Sequence, residues 1–155
     1  MRIKVGESVL KRGFLLAIVL SLAACGGVDP DSPLGKRKAV FKKMLNVSED
    51  LGGMLRGRIA YNEQLFAELA VELDELSHEP WQYFPSVKED GKTSARDDVW
   101  QRQERFQELA RHLEGTTARL VASTTEAPFN KSVLALRVQA VEDSCESCHQ
   151  EFRAY

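Results

Sequence analysis

The chain closes on Cys145-Glu-Ser-Cys148-His149-Gln-Glu-Phe152-Arg153-Ala-Tyr155, and no other stretch constrains it as much. Two cysteines stand three apart, and a histidine follows the second directly. A Cys-x-x-Cys-His string is the attachment site of a c-type haem. On a helix, residues three and four apart share a face, so Cys145, Cys148 and His149 point to one side. Both thiols can then form thioethers with the vinyl groups along one porphyrin edge, and the His149 imidazole can bind the iron as an axial ligand. A zinc site is a weaker reading. It needs about four donors, and the only other Cys and His residues are Cys25, His78 and His112. A thioredoxin-like pair expects a strand–helix setting, and no βαβ pattern is visible. A helical scaffold with two free thiols and no haem is the remaining alternative.

Residues 1–24 read as an export signal. Arg2, Lys4, Lys11 and Arg12 come first, and an apolar run from Phe14 to Leu22 follows, too short for a convincing membrane-spanning helix. Leu22-Ala23-Ala24-Cys25-Gly26-Gly27 resembles the lipobox of bacterial lipoproteins. That resemblance implies cleavage before Cys25, then S-lipidation and N-acylation of this cysteine. An ordinary signal peptide with a chance cysteine is the alternative. Gly26 rather than Asp after the cysteine points to the outer membrane before the inner. The expected location is therefore the periplasm, on a lipid anchor. Setting residues 1–24 aside takes the formal charge from -2 to -5, which argues against nucleic acid as a partner. Residues 25–35 read as the lipidated N-terminus and a flexible tether, and 36–155 as one folded domain.

That domain reads as all-α. Val40, Met44, Val47, Leu51 and Met54 recur at helical spacing, which predicts a first helix over about 36–58. Gly52, Gly53 and Gly57 fall near its end, so either a close approach compensates for them or the helix frays after Leu51. Asn62 is a good N-cap for a second helix ending near Ser77, with Leu65, Phe66, Leu69, Leu73 and Leu76 on its apolar face. Trp81, Tyr83 and Phe84 lie in a long connection and are expected to close one end of the core. A third helix is predicted from about Ser94, with Asp97 as its capping pair. Val99, Trp100, Phe106, Leu109, Leu113, Thr117 and Leu120 mark its inner face. Asn130 caps a fourth helix whose inner face, Leu134, Val138 and Val141, runs into Cys145, Cys148 and Phe152. Four amphipathic helices read as a bundle able to hold a cofactor between facing side chains. No catalytic constellation stands out, and His78 and His112 read as solvated, so an enzyme is not expected.

These residues together resemble the cytochrome c′ family, the class II c-type cytochromes, over roughly Lys38 to Arg153; such proteins are themselves four-helix bundles. The features that carry the likeness are Cys-x-x-Cys-His near the C-terminus, Pro80-Trp81-Gln82-Tyr83-Phe84-Pro85, Val99-Trp100 and Leu51-Gly52-Gly53-Met54. The resemblance implies an antiparallel four-helix bundle with one covalent haem c near the C-terminal helix. Arg153 matches the arginine that the family keeps beside the proximal imidazole. Met44 falls at the distal position. A basic residue often precedes that position by one turn, where this chain has Val40, with Arg37 upstream. In one branch of the family a methionine near the N-terminus ligates the iron, which suits electron transfer with periplasmic or membrane redox proteins. In the other branch the iron is five-coordinate and high-spin and binds nitric oxide or carbon monoxide. The expectation taken from Met44 is electron transfer with Met44 as sixth ligand, and gas binding is the alternative. Members are often homodimers packed through their first two helices, so a homodimer is implied as well.

Overall fold

The computed structural model describes residues 28–88 and 93–155. The export signal and Cys25 lie outside the described residues. The first helix, α1, spans Pro33–Leu55. It starts three residues before the expected Lys36 because Ser32 and Pro33 form a start signal. The Ser32 hydroxyl accepts a hydrogen bond from the Gly35 N–H at 3.0 Å, and Pro33 at the first turn loses no helical bond. Residues expected to belong to the tether are therefore helical from Pro33 onward.

The far end of α1 does not fray after Leu51. The Arg58 N–H reaches the Gly53 carbonyl at 2.8 Å, and the Gly57 N–H reaches that of Met54 at 3.4 Å. With Gly57 at φ +74°, these bonds form a Schellman cap. The chain then folds back so that Ile59 lies over Gly53, where an added Cβ would meet the isoleucine Cδ1 at 2.8 Å. The close approach that Gly53 allows is thus made by its own helix's continuation, not by a flat ring or a neighbouring helix.

Helix α2 spans Glu63–Ser77, capped by the Asn62 side chain as expected. Its inner face is Phe66, Ala70, Leu73 and Leu76, whereas Leu65 is 41% exposed. A 3₁₀ turn, Pro80–Tyr83, follows. The predicted third helix is broken into α3, Asp98–Gln101, and α4, Gln103–Ala122. The break falls at Arg102, whose backbone leaves helical geometry (φ -124°, ψ 48°). Ser94 does not start a helix. Residues 94–96 are extended and pair with the C-terminus. The Arg96 N–H donates to the Phe152 carbonyl at 2.9 Å, and the Ala154 N–H donates to that of Ser94 at 2.7 Å. Asp97 makes no capping bond and faces Lys88 instead. The last helix, α5, spans Lys131–Phe152, capped by Asn130.

α1, α2, α4 and α5 form the antiparallel four-helix bundle. α1 packs against α2 and α5, and α4 packs against α2 and α5. Leu51, Phe66, Leu120 and Leu134 are fully buried in its core. The buried hydroxyls find partners between helices, as buried polar groups must. Ser77 and Thr117 meet at 3.1 Å, and Thr116 and Ser144 at 3.3 Å. Gly57→Ala is expected to destabilise the protein by about 1–2 kcal/mol, because a side chain pays that in the left-handed region. Denaturant unfolding of the two proteins measures the difference.

Candidate haem site

A cavity of about 870 Å³ opens at the end of the bundle where α1 begins and α5 ends. The sequence-predicted residues meet there. Cys145, Cys148, His149 and Arg153 line it from α5 and its cap, and Met44 lines it from α1. Met54, the other methionine of α1, is buried in the core and does not reach it. His78 and His112 are exposed, and His78 faces Glu114. The two cysteines sit mid-helix, not at a strand–helix junction. Among the described residues no group of three or more His, Cys, Asp or Glu is arranged to hold a metal ion.

The walls are aromatic and interlocked. Phe106 of α4 packs edge-to-face on Trp81 (centroids 5.7 Å apart), Phe84 (4.9 Å) and Phe152 (5.3 Å). Phe41 of α1 meets Trp81 from the other side at 5.9 Å. The Trp81 indole N–H donates to the Ser77 carbonyl at 2.7 Å, which seats the ring. The expectation that the aromatics of this connection close one end of the core is met.

Arg37 is the residue that sequence reasoning undervalued. It is 2% exposed, lines the cavity and stacks its guanidinium 4.7 Å over Phe84. Its Nη1 donates to the Tyr83 carbonyl at 2.8 Å. Spacing offers the missing signal, since Leu34, Arg37, Val40 and Met44 continue one helical stripe and turn this cation inward.

Electrostatics tune the donors. Burial pushes the Cys145 and Cys148 thiols up to about 11. Glu142 adds to this at Cys145; at Cys148 the other thiol and Glu151 add to it and Arg105 opposes it. His149 moves the other way. Burial first and the Arg153 charge second lower its proton affinity, which favours the neutral imidazole that iron requires. On the outer side of α5, Glu151 accepts from Arg102 at 2.6 Å and from Arg105 at 2.8 Å. That exposed network ties the motif's helix to α4.

The donor set and the cavity fit a haem. The volume lies in the range of cofactor pockets, the walls are apolar, and two thiols and an imidazole converge on it from a single helix face. Arg153→Gln is expected to raise the His149 pKa only part of the way to its ordinary value, because burial, the larger cause, remains. Nuclear magnetic resonance titration of a haem-free Cys145→Ala/Cys148→Ala chain, with and without Arg153→Gln, checks this.

Comparison with known proteins points the same way. Residues 32–153 match the family model described as Cytochrome C'. The cytochrome c′ of Halomonas halodenitrificans is 30% identical over 135 residues, covering 81% of this chain and 98% of that protein. The structure of cytochrome c′ from Shewanella frigidimarina superposes with a TM-score of 0.76 at 21% identity, over 84% of this chain and all of that one. Variants of the Alcaligenes xylosoxidans protein solved with nitric oxide and with carbon monoxide superpose at 0.73 and 20% identity, over 83% of this chain and 98% of theirs. Proteins of this family bind one haem c covalently, and the chain belongs to the cytochrome c′ family.

Proposed function

We propose that this chain is a monohaem cytochrome c′ that binds a small neutral gas, nitric oxide or carbon monoxide, on the Met44 side of its haem. In this reading Cys145 and Cys148 tether the porphyrin, and His149 holds the iron from α5. Burial first, and the Arg153 charge second, favour the neutral imidazole that would take the iron. Haem held by these residues would supply an iron able to bind a diatomic gas or to pass a single electron.

The observation that carries the reading is the packing of Met44. Its side chain is 5% exposed and belongs to the same core cluster as Val40, Val47 and Leu113. A thioether so seated fills the distal wall, excludes water, and is pliable enough to yield to a diatomic ligand. The gas complexes of the Alcaligenes xylosoxidans protein, on the same fold, support it further. The second reading is electron transfer with Met44 as sixth ligand and a redox protein as partner. One observation favours it: Met44 and His149 line the same cavity. The sequence alone puts electron transfer first; the packing of Met44 and the gas-bound relatives weigh for the opposite order. Neither reading makes the protein an enzyme.

The proposal keeps residues 1–24 as an export signal and Cys25 as a lipid-bearing residue. The domain then works on the periplasmic side of a membrane, the outer before the inner, and a homodimer remains the expected assembly.

The ferric protein, matured with covalent haem, is expected to give a high-spin electron paramagnetic resonance signal, and the ferrous protein to take up carbon monoxide promptly. Met44→Ala should speed that uptake and leave the spin state high. A low-spin signal that disappears in Met44→Ala would overturn gas binding in favour of the electron carrier.

A further inference from the structure

The first half of α1 carries a concentration of positive charge that its own fold uses only in part. Lys36, Arg37, Lys38, Lys42 and Lys43 fall within eight residues, and no acid appears on α1 before Glu49. Arg37 turns inward. Lys36, Lys38 and Lys42 are exposed, and none of the three has an ion-pair partner among the described residues, whereas Lys43 faces Glu72. The arrangement is unfavourable within the chain. A helix N-terminus already bears partial positive charge and prefers acids, and α1 has none in its first turn. Lys38 and Lys42, one turn apart, repel each other. A local rule broken without an internal gain marks a functional surface. General basicity does not explain it, because the chain beyond residue 24 is net acidic.

Position identifies the counterpart. Lys38 and Lys42 border the haem cavity on its α1 side, while Glu49, Glu142 and Glu146 border it elsewhere, so these two lysines and the cavity mouth face the same way. The described chain begins at Val28, and its turn leads into the Ser32 cap through a bond from the Ser32 N–H to the Asp29 carbonyl at 3.2 Å. Only three peptide steps separate Cys25 from Val28. At about 3.3–3.6 Å per residue they span roughly 11 Å at most. Whatever holds Cys25 therefore holds Val28 close by, at a distance comparable to the Debye length of about 10 Å at 0.1 M salt.

We propose that Lys38 and Lys42, one turn apart on the same side of α1, form a docking face for anionic phospholipid headgroups and lay the mouth of the haem cavity against the membrane that carries the Cys25 anchor. The proposal rests on the lipoprotein reading of Cys25. The anchor supplies attachment and the lysines supply orientation. A docked mouth takes up its gas from the bilayer, where a small neutral molecule is concentrated. Each lysine near an anionic surface favours docking about five-fold, and the two together roughly thirty-fold.

The test uses the mature holoprotein on vesicles of phosphatidylcholine with or without phosphatidylglycerol, carrying a headgroup fluorophore whose emission the haem absorbs. Quenching is expected to be stronger on the phosphatidylglycerol vesicles, to fall as salt is raised, and to lose its lipid preference in Lys38→Gln/Lys42→Gln. Should that variant fail to fold, the parent's salt titration on the two vesicle types decides alone. Equal quenching on both vesicle types overturns the proposal and leaves the lysines to an acidic protein partner. A variant that behaves like the parent also overturns it. Intact-mass measurement reads the acylation of Cys25 separately. If that residue is unacylated the anchor reading fails, and salt-sensitive co-sedimentation of the same protein with phosphatidylglycerol vesicles still decides the docking face.

Discussion

The edge-to-face packing of Phe106 on Trp81, Phe84 and Phe152 is the interaction on which the site depends. A bundle gains stability by collapsing on itself, so a cavity of about 870 Å³ survives only if its walls cannot move in. From the first turn of α4, Phe106 braces two other segments: the 3₁₀ turn with its exit, and the end of α5. Each aromatic pair contributes about 0.5–1.5 kcal/mol beyond simple burial. The rings also keep few rotamers, so the brace is stiff as well as stabilising. Phe41 extends it to α1 through Trp81, and the Arg37 guanidinium over Phe84 completes the ring of contacts.

Backbone pairing finishes what the aromatics begin. The extended segment at 94–96 clamps Phe152 to Ala154, and Glu151 binds Arg102 and Arg105 across to α4. The ion pairs are exposed and individually weak. Their value lies in geometry, because the last turn of α5, which carries His149 and follows Cys148 directly, would otherwise be a fraying helix end. The same end receives the start of α1, so the haem motif and the N-terminal approach to the domain share one face of the molecule. That coincidence of two distant parts of the chain underlies the basic stripe's orientation as well as the cavity.

Much of this was legible in residue patterns. The caps at Asn62 and Asn130, the long aromatic connection and the core faces of α4 and α5 follow local rules, and the structure agrees with each; the motif at Cys145, Cys148 and His149 is likewise local, and its three side chains line one cavity. Other features escaped, among them the burial of Arg37, the break at Arg102 and three more. The start of α1 was read too late because Pro33 and Gly35 resemble a linker until Ser32 is seen to cap them. Leu65 was read as core because apolar spacing alone does not say which edge of a stripe the neighbouring helix covers. Ser94 was read as a helix start, whereas its carbonyl is taken by Ala154.

The sequence by itself determined an all-helical chain with a covalent haem motif at its end, because periodicity, capping and attachment chemistry act within a few residues. Only the tertiary structure decided that Arg37 turns inward, that residues 94–96 pair with the C-terminus, and that Met44 packs as a wall of the same cavity as His149. Those outcomes join residues dozens of positions apart. The free energy that selects them comes from burial and pairing between elements, which no local window of sequence contains.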